Sequence, residues 1–336
     1  MRHALTIAAA LALSTTLAHA QDFTLRLQTF HSADSPVGEG AAAFIDDVET
    51  MSDGRIKIEP FFSSAVVKSV ETFDAAVNGI LDVDMTAGSY QVGKDSAFQF
   101  VGDPMGGYDD PWQLYAFVYN GGGLEAAREL YASYGMYLVG FHIQAPESLA
   151  SSKPLRTVAD LKNFKFRSPP GMETMIFANL GATPVVMDFT EVFTALESGV
   201  IDGADAANLA VNKSLGLYDV VKHATYPGFH STPANHLAVR KDMWDSMPAD
   251  LQRIFEVAYE KFAFRLTLAS AVETRRAASE LAAQGVEMHD WSMEDRKLFR
   301  DAALSAWDEF ADTERAKQIV KLHKDFQSLI GLREAD

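Results

Sequence analysis

The chain has 336 residues, just under half of them hydrophobic, with 46 acidic against 29 basic side chains and a formal net charge of −17. That length exceeds one typical domain and suits two, each able to bury a core, and the chain is too apolar to be disordered in bulk. The charge argues against nucleic acid and anionic membrane surfaces as partners, and the lack of cysteine excludes disulfides, thiolate catalysis and cysteine-based metal sites. A small anion stays compatible, because a local set of donors overrides a distant field.

In chain order, Arg2 and His3 precede an apolar run, Ala4 to Leu13, and Ala18-His19-Ala20 closes the segment. A basic start, a short apolar stretch and an A-x-A ending predict a secretory signal peptide cleaved after Ala20. The run is well short of the ~20 residues that span a bilayer. No other stretch is long enough, so the mature chain is expected to be exported and soluble. Its net charge becomes −18 once Arg2 is lost, 28 basic against 46 acidic residues.

Phe23 to Thr29 alternates apolar and polar residues and predicts a strand, as does Arg55 to Pro60. Helical spacing runs from Ser35 to Met51 and from Val70 to Leu81, and Val83 to Ala87 is a further short strand. Pro111–Tyr119 and Leu124–Tyr134 read as helices around Gly121-Gly122-Gly123, and Tyr137–Ile143 as an apolar strand that crosses between domains. Between Ala159 and Asn208 two strand–helix units follow each other: a strand at Phe164–Arg167, a helix from Pro169-Pro170-Gly171 to Leu180, a strand at Ala182–Met187, a helix capped by Thr190 and ended by Gly199, and a strand at Ile201–Asp205. A helix over about Leu209–Leu217, a strand near Val220–Tyr226 and a short extended piece at Leu237–Arg240 come next. From Ala249 to Gln284 nothing breaks a helix, which predicts a rod of roughly 54 Å bridging both domains. Ser292 caps a helix through Phe310, and a last helix spans Glu314–Ile330.

The chemistry-bearing motifs are sparse. Gly88 to Lys94 has the glycine and lysine spacing of a phosphate-binding loop, but Asp95 stands where that loop needs a hydroxyl, and a carboxylate there repels phosphate. No H-x-x-x-H or G-x-S-x-G pattern occurs, Asp46-Asp47 and Asp109-Asp110 read as solvated faces, and His230 and His236 have no identifiable acid–base partner. Enzyme chemistry has no positive sign. Strands alternating with helices predict a parallel sheet with ligands beyond the strands' carboxyl ends, which is where Arg167 lies. Two readings stand: a surface salt bridge, or a bidentate clamp on a carboxylate, whose two oxygens match the guanidinium fork. In the second, helix amino termini after Pro170 and at Thr190 add donors.

At this point DLKNFKFR, LGATPV and FTEVFTALESGVIDGAD resemble the signature of the solute-receptor subunits of TRAP (tripartite ATP-independent periplasmic) transporters, and the likeness extends from FTLRLQTFHSADSP through GRIKIEPF and YPGFH to the bridging helix. The resemblance implies an α/β, two-domain periplasmic-binding-protein (class II-like) fold with a hinge, a mixed sheet in each domain and a long helix joining them. Residues 21–145 with about 234–270 would form one domain and 146–233 with about 271–336 the other, with the ligand cleft between. It also implies a periplasmic receptor, not an enzyme, that closes on an organic acid and delivers it to the small and large membrane permease subunits, with no nucleic-acid partner. Arg167 takes the family's carboxylate-binding position and Asn208 a position near the substrate.

QTFHSADSP, GSYQVGK, YNGGG and YPGFH are most similar to the branch that binds 2-oxo acids and related monocarboxylates. There Tyr90's position contacts the carboxylate end, and a Glu-Trp pair with an upstream glutamine holds a cation that bridges to the ligand. This chain has Asp205-Ala206 at the pair, and Pro146 at the glutamine, flanked by Glu147 and Gln144. One expectation is therefore a roomier pocket clamping a bulkier or aromatic monocarboxylate through Arg167, Tyr90 and Asn208, walled by Phe30, Phe229 and Met187, with no cofactor required. A competing one keeps a sodium or calcium ion on Asp205 and Glu147 and a small 2-oxo or 2-hydroxy acid. A third pairs both carboxylates with an amino or hydroxyl group of the ligand. A periplasmic sensory receptor and a secreted hydrolase are the other function classes; the latter lacks a nucleophile–base pair.

Overall fold

A computed structural model describes residues 22–333; the expected signal peptide lies outside them. The first part of the chain alternates β1 (Phe23–Thr29), α1 (Pro36–Met51), β2 (Ile56–Phe61), α2 (Thr72–Val77) and β3 (Val83–Met85), then adds α3 (Ala97–Gly102), α4 (Pro111–Asn120), α5 (Gly123–Ala132) and β4 (Met136–Ile143). The middle comprises β5 (Ser148–Ser151), β6 (Lys165–Ser168), α6 (Met172–Asn179), β7 (Thr183–Val186), α7 (Val192–Glu197), β8 (Gly203–Ala207), α8 (Leu209–Ser214), α9 (Leu217–Val220) and β9 (His223–Thr225). It closes with β10 (Ala234–Arg240), α10 (Lys241–Ser246), α11 (Ala249–Ala283), β11 (Glu287–His289), α12 (Met293–Phe310) and α13 (Glu314–Leu329).

The strands form two mixed sheets, as the fold class expected. The first has the order β2-β1-β3-β10-β4 and the second β11-β9-β5-β8-β6-β7. In the first, β1 is parallel to β2 and β3, and β10 is antiparallel to β3 and β4. In the second, β6 lies parallel between β8 and β7, while β5 runs antiparallel to β8 and β9. The alternation of β1 buries Leu25 and Leu27 completely against α1, whose Val37, Ala41, Phe44 and Val48 face inward. Ser35 starts α1 by accepting from the Gly38 amide.

Several boundaries shift from the sequence reading for physical reasons. β6 begins one residue late because Phe164 turns into the core, fully buried and stacked on Phe166 at 5.5 Å. The helix after β7 is capped by Asp188, two residues before Thr190: its carboxylate, a stronger acceptor than a hydroxyl, accepts from both the Thr190 amide and hydroxyl. β8 starts two residues later than expected, which places Asp205 in mid-strand and leaves Asn208 to cap α8 through the amides of Ala210 and Val211. α3, β5 and β11 carry too short a pattern for periodicity to reveal them.

The chain passes from the first sheet to the second over 144–147 and returns over 226–233, after a cis Tyr226–Pro227 bond. The two passages lie side by side, the Glu147 amide donating to the Ser231 carbonyl at 3.0 Å. α11 is the third link. At ~1.5 Å per residue its 35 residues span about 52 Å. Its first half packs Leu251, Phe255, Tyr259 and Phe262 on α1 and β4; its second meets α8. Where it crosses the passage it turns small and polar: Thr267 donates to the Ile143 carbonyl and Ser270 accepts from the Ala145 amide. α12 packs on α6, while α13 packs on α3 and α5, beside the first sheet.

Gly228 fixes how closely the passages approach, since a Cβ there would lie 2.0 Å from the Glu147 carbonyl oxygen and 2.7 Å from that of Pro146. Both obstacles are backbone, so Gly228→Ala should cost about 1–3 kcal/mol. Urea denaturation checks this; an unchanged midpoint would mean that the passages are not held in contact.

Candidate functional site

Strand ends of both sheets converge on one small cavity of about 40 Å³, lined among others by Phe30, Tyr90, Glu147, Arg167, Asp205 and Asn208. Phe30 follows β1, Tyr90 sits on a 3-10 turn after β3, and Glu147 belongs to the first passage. Arg167 is the penultimate residue of β6 and Asp205 lies on β8. Six of the eight residues singled out in the sequence thus share one wall. Met187 takes part through its carbonyl. Phe229 does not: its ring stacks on Trp291 at 4.2 Å and lines a separate cavity near the start of α12. The apolar wall expected there is supplied by Phe189, whose ring centroid is 4.8 Å from that of Phe30.

Arg167 is only 2% exposed. Because β6 lies between β7 and β8, its guanidinium is gripped from both sides: Nη1 donates to the Asp205 carbonyl at 2.7 Å and Nε to the Met187 carbonyl at 3.3 Å. Nη2 is buried and has no protein acceptor. A buried charged donor left unpaired costs more than a neutral one, above ~1–3 kcal/mol, and such a group normally has a partner. Burial pushes the Tyr90 phenol up, and the Arg167 charge opposes that rise.

The helix starts expected to help are already engaged. Gln99 Oε1 accepts from the Met172 amide that opens α6, and Asp188 serves the turn at Thr190. Asn208 lines the cavity, but its carbonyl caps α8 and its amide donates to Gln144 Oε1 at 3.0 Å.

Four carboxyl groups gather beside Arg167. Burial opposes ionisation of Asp205, but the His230 imidazole at 3.1 Å, Glu173 and Arg167 outweigh it and hold its pKa below the ordinary value. The other three move the opposite way. Burial pushes Glu147 and Glu173 well up, with the Asp205 charge adding to each. Burial also raises Asp103 to about 7, against the Ser231 hydroxyl that donates to it at 2.8 Å. Of these, Asp103, Glu147 and Asp205 line the cavity; one ionised acid offset by its neighbours and two biased toward the protonated form make a lining of donors, suited to an anionic ligand.

His230 therefore has an acidic partner that the sequence reading did not find. So does His236, whose Nε2 lies 2.9 Å from Asp84 and whose Nδ1 meets the Tyr131 hydroxyl at 2.8 Å. Thr86 donates its hydroxyl to Asp84 at 2.7 Å, on the carboxylate side of its pair, and among the described residues no serine or threonine hydroxyl bonds either imidazole, so neither pair forms a nucleophilic triad. Asp103, Glu173, Phe189 and His230 are the site residues sequence reasoning missed. Phe189 and His230 stood inside quoted motifs, FTEVF and YPGFH, but only folding shows which ring turns inward.

The Asp103 shift has a definite sign. Between the ordinary value of 3.8 and about 7 the folded chain holds a proton there that the unfolded chain releases. This contribution favours the fold below the window and is lost as pH rises through it. Asp103→Asn keeps an acceptor for Ser231 and removes the titration. The variant should gain stability relative to the parent between about pH 4 and pH 7 and no further above it, read by thermal denaturation over a pH series. A difference that is flat across the window would show that Asp103 is not held protonated.

Known proteins bear on this geometry. Residues 27–314 match the family model for bacterial extracellular solute-binding protein, family 7 (DctP). A monocarboxylate 2-oxoacid-binding periplasmic protein of Nostoc sp. is 27% identical over 296 residues, 87% of this chain and 80% of that protein. A TRAP periplasmic solute binding protein from Rhodobacter sphaeroides, solved in an apo open form, shares 34% identity and covers 93% of this chain and 100% of its own, with a TM-score of 0.73. A TRAP transporter solute binding protein from Bordetella bronchiseptica, solved with copurified calcium and picolinate, has a TM-score of 0.83 at 24% identity, covering 92% of this chain and 93% of its own. These relatives are binding proteins of transport and not enzymes. With most of its length matched, the chain belongs to the DctP family of bacterial extracellular solute-binding proteins.

Proposed function

We propose that this chain is the exported receptor of a TRAP transporter, which clamps an organic monocarboxylate between its two lobes and hands it to the membrane permease subunits. The observation that carries the reading is the buried Arg167 guanidinium, held by two backbone carbonyls with its Nη2 unpaired beside the cavity. A ligand carboxylate supplies the missing acceptor. Tyr90, and Glu147 and Asp103, which burial biases toward the neutral form, line the same cavity and would donate to its remaining oxygens. One lobe is built on the first sheet, residues 22–145 and about 234–270, and the other on the second, residues 146–233 and about 271–310; α13, expected in the second lobe, packs instead on α3 and α5 of the first. The lobes are shut here: Ser69 donates to Asp188 at 3.0 Å and Gln99 accepts from Met172 across the cleft. With Phe30 and Phe189 closed over a cavity of about 40 Å³, room gained at Ala206 serves a bulky or aromatic acid only if those rings swing apart. Export rests on the leader at residues 2–20, and delivery to the permease on the family.

The ligand is proposed to bind without a cation. Donor atoms of Glu147, Asp205 and His230 lie within 4.8 Å of one another, close enough for an ion. However, a sodium or calcium ion prefers oxygen donors, several of them. Here Asp205 is already balanced by His230, Glu147 tends to stay protonated, and the Arg167 charge stands alongside. These residues fit a hard cation poorly.

Two measurements test the reading. Removing one partner of a buried ion pair costs about 3–5 kcal/mol, so Arg167→Ala should weaken binding by roughly 100-fold or more in calorimetry against the best acid from a thermal-shift screen. Full affinity in the folded variant would refute the clamp. Stripping the protein with chelator should leave the dissociation constant unchanged; a loss restored by calcium would place an ion in the cleft.

A further inference from the structure

Far from the cleft, the edge of the second sheet brings together His223, Glu287 and His289. β11 pairs in parallel with β9, with Glu287 opposite His223, and His289 two residues further along β11 shares that face of the sheet. The two rings stack at 25° with centroids 5.2 Å apart, and His223 Nδ1 comes within 3.0 Å of His289 Nε2. Glu287 Oε2 lies 3.7 Å from the same His223 nitrogen. One ligand atom of each side chain falls within 4.8 Å of the others.

We propose that this edge is a binding site for a divalent transition-metal ion of the zinc class, with His223, His289 and Glu287 as its protein ligands. Nitrogens 3.0 Å apart subtend about 90° at an ion ~2.1 Å from each, and the 3.7 Å separation to the carboxylate corresponds to about 120°. Both angles fall within the range zinc accepts, since it imposes no geometry of its own. Two imidazoles select zinc, nickel or copper over calcium or magnesium. The competing hold on Glu287 is a 3.4 Å contact from Arg156, with both side chains more than half exposed, and such a pair is weak. Water completes the coordination on the open side. The bound ion pins β11, which directly follows the bridging helix α11, to the sheet edge.

The test uses the mature, tag-free protein, stripped with chelator and titrated with zinc chloride alone by calorimetry, with cobalt chloride as a spectroscopic probe. The expected result is one equivalent bound, a visible cobalt absorption band and a raised melting temperature. Changing a group that merely orients a metal ligand typically costs 10–100-fold, so His223→Ala and Glu287→Gln should each weaken binding by at least about tenfold. Glu287 is exposed, so its variant should fold even if the histidine change disturbs the sheet edge. Absence of saturable zinc binding would overturn the proposal and leave a hydrogen bond between two imidazoles. Binding unchanged in both variants would also overturn it, placing the ion at Glu147, Asp205 and His230 instead.

Discussion

The buried guanidinium of Arg167 sets the terms for the rest of the site. An arginine that is almost fully enclosed cannot lose its proton, so the fold has to surround it with acceptors. The acceptors come from both neighbours of β6, the Met187 carbonyl just past β7 and the Asp205 carbonyl on β8. The strand order β8-β6-β7 is what makes this possible. An edge strand would offer a grip from one side only and leave the fork free to turn. With two nitrogens fixed, the third has one direction in which to point.

The acids around it follow from the same charge. Asp205 stays ionised because His230 and Arg167 flank it, and a second or third carboxylate in the same dry space would meet Asp205 as a like charge. Glu147, Glu173 and Asp103 accordingly tend toward the neutral form, which converts acceptors into donors. A strongly acidic chain thereby presents an anion with a donor-lined pocket. Overall charge and local function are decoupled because burial sets the protonation state residue by residue.

Three links join the sheets. Two passages lie in backbone contact at Gly228, and α11 meets them with Thr267 and Ser270 where its face would otherwise be large and apolar. Small hydroxyl residues satisfy the strand-end carbonyl and amide there, groups that would be costly to bury unpaired. Directional hydrogen bonds hold the helix at the crossing, and broad apolar packing holds it on either side.

The sequence by itself determined the alternation of strands and helices, the long helix and the place of Arg167 at a strand end, because these follow from local periodicity, caps and breakers. Ser35, Ser292 and Gly285 mark element ends that the structure keeps. Tyr90, Asp205 and Asn208 were reached through motif likeness, which transmits position but not hydrogen bonding. The tertiary structure alone decided that Asp205 pairs with His230, that Asn208 spends its carbonyl on α8, that Phe189 and not Phe229 walls the cavity, and that two histidines on adjacent edge strands face each other. Each of these joins residues distant in sequence or separates side chains adjacent in it. No local signal encodes which of two neighbouring rings turns inward or which carboxyl keeps its proton; burial and the neighbours brought by folding decide both.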